Sequence, residues 1–554
     1  MSKTIQPTPP LTPPLQVGRG TSRRTAARFR RCEAWNTPKQ SHICHSSPLC
    51  HSGERQNPVV KKREEGLRLL ATSVLILHLP PLTPPLQVGG GSIQTPNGRG
   101  ENLSADSSPP SRWVSVFVML LFIGCTVCLG EELNIDTPET TDHPVVYAIE
   151  VIGNRMTKTD FILREMSLKP GMTADPEQME ADRLRLESLG LFNRVEINVA
   201  SDKGRAVVIV TVTEPLYIYL FPILRYDPTK PDKSIYGFGI YHRNIRGYGE
   251  RLGALGWTGY QKGLFLTHED PWFRFGGKIG LDGQWYWTEQ EILNDDGTAY
   301  LTQTHSVEIT ARYRFTHTFR IELKTAWEQR TAETDFYTLD PDNRDRLLVG
   351  QIELRNDLRD YRYYPTTGSY FRAFFEGNCL LNNHCTFFYR ERIELRKYLS
   401  CGRIIFAGRL FSIFSQHQMP YYRHLTLSKQ LIRADYDFGN LGTQIVAANL
   451  EIRFNILKLR YFSLDRMPWV GRYLRNLRFS MEGVTFVDRG CLQHNETVDI
   501  PVHRKYTVKR DFCAYGCGLQ FQVPYIQTMY ILMGWNPDDP LDTPQLVIRN
   551  GVTF

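Results

Sequence analysis

Long apolar runs are scarce in this chain of 554 residues. The one that stands out, Val114 to Leu129, is sixteen residues, short of the roughly 20 that a spanning helix needs. It follows Arg112 and precedes the small Gly130 and the acidic, polar stretch from Glu131 to Asp142, which is the layout of a secretory signal peptide cleaved near Gly130. Phe122 to Cys125 also resembles a poor lipoprotein cleavage box; either way the remainder is expected to be exported. Catalytic motifs are missing too. There is no Gly-x-Ser-x-Gly, no phosphate loop, no His-Glu-x-x-His and no carboxylate pair in a pocket-like context, so the sequence offers no catalytic residue and no enzyme assignment. A strong charge bias is lacking as well. The net charge of +8 is modest for this length, and the basic runs Arg23 to Arg31 and Lys61 to Arg63 stand without any module that reads nucleic acid.

Residues 1–112 lack the apolar content to bury a core, being rich in Pro, Ser, Thr and Arg, and PPLTPPLQVG at Pro9 to Gly18 recurs at Pro80 to Gly89. His42, Cys44, His45, Cys50 and His51 are ligand types that zinc accepts, but their spacing fits no standard finger. No metal and no cofactor is expected. The low-complexity leader, 1–112, is expected to be absent from the mature protein, with a signal peptide at 113–130 and a linker at 131–144.

What the sequence does have, from Leu216 onward, is alternation. Val307, Ile309, Ala311, Tyr313 and Phe315 face one way while Glu308, Thr310, Arg312 and Arg314 face the other, because successive side chains of a strand point to opposite faces. Leu450, Ile452, Phe454 and Ile456 repeat the split against Asn449, Glu451, Arg453 and Asn455, as do Leu477, Phe479 and Met481 against Arg478, Ser480 and Glu482. A single segment of this kind also suits a soluble sandwich. Sixteen of them between 216 and 554, the first at 216–226 and the last at 544–554, predict an antiparallel transmembrane β-barrel with an even strand count. A mean hydropathy of −0.34 is compatible with that, since alternation averages the two faces. Twelve per cent aromatic residues suit interfacial girdles and strands alike.

Between 145 and 215 the period changes to that of a small α/β domain. Val146 to Ile152 reads as a strand, Thr157 or Thr159 as the cap of a helix running through Met166, and Asp175-Pro176-Glu177 as the cap, first-turn proline and first-turn acid of a second helix stopped by Gly190. Strands at Val195 to Val199 and Ala206 to Thr213 complete a β-α-α-β-β order.

Cys513 and Cys517 are four apart on one strand, a separation of about 13 Å that no disulfide spans. Cys379 and Cys385 flank a short far-side loop, where a cross-hairpin disulfide suits an oxidising compartment.

The motifs resemble the bacterial outer-membrane assembly and translocation superfamily, which includes the BamA and TamA assembly factors and the two-partner-secretion transporters. Ile149 to Asn154, Leu163-Arg164-Glu165, Leu189 to Phe192 and Val212-Thr213-Glu214, with Gly153, Asn154, Gly190 and Phe192 as anchors, are similar to one polypeptide-transport-associated (POTRA) domain. The segment 216–554 resembles the surface-antigen barrel through Asn244 to Gly249, Asp270 to Phe273, Asp357 to Asp360 with Pro365 and Gly368, Asn449 to Phe454, and Phe486 to Gly490. By this resemblance Arg433, in Ile432-Arg433-Ala434-Asp435, is the loop-tip arginine that folds into the barrel to meet the inner-wall acid Asp488. The tip keeps the arginine and departs from the family's Val-Arg-Gly-Tyr pattern by losing the glycine and the aromatic.

The resemblance further implies a barrel in the outer membrane with its POTRA domain in the periplasm. It implies client polypeptides, unfolded barrel proteins or secreted chains, received at the POTRA sheet edge. It implies a seam between first and last strands, bracketed by Tyr219, Val547 and Phe554, that opens laterally. Outer-membrane lipid and accessory periplasmic or lipoprotein subunits would be the other partners, with no nucleic acid. A two-partner-secretion transporter, expected to carry a second POTRA domain and a plug helix, and a passive channel or surface-antigen barrel are the competing readings.

Overall fold

The computed structural model describes residues 143–202, 205–225, 234–273, 277–293, 299–333, 338–381, 386–416, 420–425, 427–428, 430–434, 442–493, 509–525, 527–538 and 544–550. The expected leader, signal peptide and most of the linker, together with Cys385, Asp435 and Phe554, lie outside the described residues. No described helix is long and apolar enough to cross a membrane.

The first described elements are β1 (Val146–Ile152), α1 (Thr159–Glu165), α2 (Pro176–Ser188), β2 (Arg194–Asp202) and β3 (Arg205–Thr213). β3 is central in the order β1-β3-β2, parallel to β1 and antiparallel to β2. Its alternation explains the packing: Ala206, Val208, Val210 and Val212 are buried on one face, against Phe161 and Ile162 of α1 and Leu186 of α2. The Asp175 carboxylate accepts from the Glu177 N–H at 3.2 Å and Pro176 opens α2, as expected for a capped helix start. Gly190 follows its end at φ +70°, a left-handed conformation in which glycine avoids the Cβ penalty.

The start of α1 differs from the sequence reading. Its N-cap is Lys158, without a side-chain cap, and the helix stops at Glu165 rather than Met166. The reason is tertiary. The Lys158 N–H donates to the Gly247 carbonyl at 2.9 Å, and the Thr157 hydroxyl is engaged by Tyr217 and Asn244 instead of the helix end.

Sixteen strands follow: β4 (Ile218–Arg225), β5 (Ile235–His242), β6 (Arg251–Gly259), β7 (Gln261–Asp270), β8 (Ile279–Leu293), β9 (Ala299–Arg314), β10 (Phe319–Ala332), β11 (Arg344–Asp357), β12 (Gly368–Leu380), β13 (Thr386–Cys401), β14 (Ile404–Gln416), β15 (Gln444–Phe462), β16 (Leu477–Gln493), β17 (Lys509–Val523), β18 (Gln527–Trp535) and β19 (Gln545–Asn550). Each pairs antiparallel with its sequence neighbour, so the hydrogen-bonded order is sequential and ends at β4 and β19. The sheet curls round on itself: the ring of Tyr219 on β4 meets that of Tyr525, in the β17–β18 turn, edge-on at a centroid distance of 5.9 Å. This is a 16-stranded antiparallel transmembrane β-barrel preceded by a small α/β domain.

The outer face is the oily one. Leu220, Phe238, Leu264, Ile309, Leu323, Ile352, Ile393, Ile452 and Val487 are exposed there, which a water-facing surface of this extent would not tolerate and lipid requires. Cys517 is exposed on the same face as Tyr515. Cys379, near the end of β12, is disulfide-bonded.

Candidate functional site

The inner wall is divided. From β10 to β14 it is a lattice of opposite charges: Glu353 holds Arg355 and Arg372, and Glu394 holds Arg392, Arg396 and Arg409. These pairs follow from alternation, which sends every second residue of these strands inward. On both sides of the strand ends the wall carries apolar clusters, interrupted by Arg549 on β19 and by the Arg251–Glu269 pair of β6 and β7. Phe221, Tyr241 and Phe265 cluster with Tyr219, Ile223 and Trp257 on the β4 side, and Val547 with Leu532, Tyr530, Val484 and Phe486 on the β19 side.

The segment between β14 and β15 turns into the barrel and is gripped at two places. At its tip the guanidinium of Arg433 forms a fork on Asp488 of β16, with Nε to Oδ2 at 2.8 Å and Nη2 to Oδ1 at 2.6 Å, and the Arg433 backbone N–H adds a third bond at 3.0 Å. Such a bidentate charge pair fixes direction as well as distance. A second carboxylate, Glu451 on β15, binds Nη1 of the same guanidinium and is shared with Arg453. Asn449 bridges the arrangement, donating to Asp488 at 2.8 Å and to the Leu431 carbonyl at 2.7 Å. The Phe486 ring lies 3.9 Å beneath the guanidinium carbon. Gly534 of β18 is the floor: a Cβ there would sit 1.8 Å from the Arg433 carbonyl oxygen. Arg433, Glu451 and Asp488 are each fully buried.

The other grip lies on the wall of β10 to β13. Tyr422 is buried among Ala326, Leu347, Val349, Leu380 and Phe388, and its hydroxyl donates to Asp345 at 2.8 Å. Arg423 beside it pairs with Glu328 at 2.9 Å, and Arg330 stacks over the Tyr422 ring at 4.2 Å. No sequence signal marked this contact, because it joins residues some 77 and 95 positions apart. Glu451 and Asn449 did have one: they sit in the Asn449 to Phe454 motif.

The α/β domain is joined to the near-side turns of the barrel by a continuous core. Tyr217, Tyr248 and Trp272 pack into the same cluster as Phe161, Leu191 and Val212. The Tyr217 hydroxyl donates to the Leu191 carbonyl at 3.0 Å and lies 3.0 Å from the Thr157 hydroxyl. Burial, reinforced by Glu214, raises its pKa, so it remains a donor. Asn244 ties the turn together, donating to Thr157 at 2.9 Å and accepting from the Gly249 N–H at 2.8 Å. Gly247, at φ +84°, is there because a Cβ would lie 2.2 Å from the Met156 carbonyl oxygen.

Further round the rim, the indole N–H of Trp272 donates to Glu165 at 2.6 Å, and Arg314 reaches the same carboxylate at 3.2 Å. Arg362 N–H donates to Ser188 at 3.1 Å, and Arg478 donates to the Asn193 carbonyl at 2.8 Å. The four expected anchors sit in this junction or beside it. Gly153 is at φ +91° with no room for a Cβ, which would strike the Val212 carbonyl, and Asn154 donates to the Thr157 carbonyl at 3.0 Å. Gly190 ends α2, and Phe192 is buried in the shared core. Tyr219 and Val547 both point inward, in the two apolar clusters that flank the strand ends.

Residues 144–214 match the POTRA family model, surface antigen variable number repeat, and residues 244–535 match the Omp85 superfamily domain. Among curated protein sequences, none matches the chain. Similar solved structures include BamA from Haemophilus ducreyi lacking POTRA domains 1–3, at 17% identity and TM-score 0.43, covering 74% of this chain and 84% of that one. CdiB from Escherichia coli aligns at 11% identity and TM-score 0.48, covering 73% and 75%, and CdiB from Acinetobacter baumannii at 12% and 0.42, covering 74% and 73%. With a POTRA match directly preceding an Omp85 match that spans more than half of its length, the chain belongs to the Omp85 superfamily.

Proposed function

We propose that the protein is an outer-membrane assembly or translocation factor that receives unfolded polypeptides at its POTRA domain and passes them to a barrel whose β4–β19 seam opens sideways. The observation that carries this reading is the pair of strand ends. β4 and β19 end the hydrogen-bonded order, and apolar clusters line the wall on either side of them, with Arg549 of β19 held inward on the Gln430 carbonyl, so parting them would expose backbone edges. An exposed edge is a template for strand pairing.

On the POTRA domain, β2 is the edge suited to a client strand. The other edge strand, β1, already bonds to the chain at its start, through Val146 N–H to the Met172 carbonyl at 2.9 Å and Gly171 N–H to the Val146 carbonyl at 2.8 Å. Strand addition uses main-chain bonds and needs no particular client sequence, so outer-membrane barrel precursors or secreted chains fit as clients, with accessory periplasmic or lipoprotein subunits as further partners. The Arg433–Asp488–Glu451 contact would hold the loop as an internal plug while the seam moves.

The test is a seam lock. Paired cysteines at Tyr219 and at Val547 or a neighbour, crosslinked in the membrane, should abolish client assembly or export, and reduction should restore it. Undiminished function with the seam locked would rule out lateral opening. Bilayer conductance combined with pull-down of unfolded outer-membrane proteins separates the reading from a passive channel, which conducts without enriching clients.

A further inference from the structure

The β15–β16 hairpin runs past its neighbours on the POTRA side of the barrel, and its end is unlike the other turns. Two register shifts, between Asn455 and Leu457 and between Leu457 and Arg460, bend it. Beyond them, residues 463–476 form an ordered turn closed by Leu464 N–H to the Leu474 carbonyl at 2.9 Å and Gly471 N–H to the Met467 carbonyl at 3.0 Å. Its inner side grips the POTRA domain: Asn193 donates to the carbonyls of Tyr473 and Arg475 at 3.0 and 2.9 Å, Asn476 donates to Thr213 at 2.9 Å, and Arg194 stacks on Tyr461 at 4.5 Å.

Its outer side is bare and oily. Phe462, Leu464, Met467 and Val470 are exposed, and Trp469 is 91% exposed at φ +68°. A tryptophan held in a left-handed conformation and presented to solvent is a costly arrangement that packing within the chain does not reward. Lys458, Arg460, Arg466, Arg472 and Arg475 are exposed in the same hairpin end, against one exposed acid, Asp465, which lies 4.0 Å from Arg475.

We infer that this turn is a membrane foot: its apolar side dips into the periplasmic-side leaflet of the same bilayer, with the basic residues on anionic phospholipid headgroups. Two features select the occupant. The apolar strip is continuous with the lipid-facing residues Ile452, Phe454 and Ile456 of the same strand, so it begins in hydrocarbon and ends at headgroup level. Tryptophan favours that interface, long cations extend from it to phosphate, and clustered Lys and Arg are attracted to an anionic leaflet. The foot would fix the height of the POTRA edge, since β2 starts beside the two carbonyls that Asn193 holds.

This proposal rests on the membrane reading above, and the experiment separates the two. The full chain carries an environment-sensitive fluorophore at Trp469→Cys, or as a reference at Val487→Cys on the lipid-facing wall, and is reconstituted into phosphatidylcholine vesicles containing phosphatidylglycerol. Label at 469 is expected to be shielded from aqueous iodide and quenched by headgroup-level nitroxide lipid. Nitroxide on phosphatidylglycerol should quench it at least about fivefold better than nitroxide on phosphatidylcholine, the preference expected for one basic residue at an anionic surface. Replacing Lys458, Arg460, Arg466, Arg472 and Arg475 together by Gln should bring that ratio close to one.

Iodide quenching at 469 without lipid quenching, while 487 is quenched by lipid, overturns the foot alone and leaves the surface to a protein partner. Equal quenching by the two lipids overturns the anionic assignment. Loss of lipid quenching at 487 as well overturns both the foot and the membrane reading.

Discussion

Replacing Arg433 by Ala removes a fully buried guanidinium from between Asp488 and Glu451, both of which are also fully buried. Glu451 keeps Arg453, but Asp488 is left with the Asn449 amide and one backbone N–H. Breaking a buried pair from one side costs about 3–5 kcal/mol, because the remaining charge stays desolvated. The Phe486 contact at 3.9 Å acts in the same direction. At 1.4 kcal/mol per decade, the docked-to-undocked ratio of the loop should fall by roughly two to four decades. A cysteine introduced at Leu427, which is 1% exposed inside the barrel, reports this. Its modification rate by a membrane-impermeant maleimide scales with the undocked population and should rise at least about a hundredfold in Arg433→Ala.

Arg433→Lys retains a point charge but not the fork and should fall between the two. A double-mutant cycle with Asp488→Ala should give a coupling of about 2 kcal/mol or more. A labelling rate within about threefold of the parent would mean that the fork does not hold the loop, whatever its geometry.

The second grip predicts a smaller effect: Tyr422→Phe leaves Asp345 its bonds from the N–H groups of Leu339 and Asp340, so the loop should loosen by about 1 kcal/mol in the same labelling assay. Gly247→Ala puts a Cβ against the Met156 carbonyl and strains a positive φ, so protease should cleave between POTRA domain and barrel faster, with the barrel's heat-modifiability unchanged. Trp272→Phe deprives the buried Glu165 carboxylate of its 2.6 Å donor and leaves Arg314 among the described residues, which should lower POTRA docking by about 1–3 kcal/mol in the same digest.

The junction also has an acid limit at Glu250, in the turn before β6. Burial works against its ionised form, but hydrogen bonds from Arg246 and His268 outweigh it, and its pKa lies below the ordinary value of 4.5. A carboxylate depressed in the fold contributes stability that is present above 4.5 and lost as pH falls through the folded value. Glu250→Gln should therefore lower thermal stability near neutrality and flatten the acid limb, the two curves converging as pH falls below the folded value.

Much was legible without a structure, and the reason is periodicity. A strand between lipid and water must alternate, so the barrel, its sixteen strands and which residues face the bilayer are written in the local order of residues such as Val307 to Phe315. The α/β domain was readable for a similar reason: Asp175-Pro176 and Gly190 act on their own neighbours. Where a side chain was claimed by something distant, local reasoning failed. Thr157 reads as a helix cap, yet its hydroxyl goes to Tyr217 and to Asn244, 87 positions away.

The same divide runs through the candidate site. Arg433 and Asp488 came from a resemblance, and Glu451 was in plain view within a motif. Its sharing of one guanidinium with Asp488 depends on β15 and β16 lying side by side with Asn449 opposite Asp488. Tyr422 on Asp345, the POTRA core running into the barrel turns, and the foot at Trp469 depend on where the chain returns to after tens or hundreds of residues. Sequence alone determined the period, hence the strands and their two faces. The curling of the sheet decided which inward side chains meet, because contact across a lumen is set by the curvature and register of the whole sheet, and those are properties of no single segment.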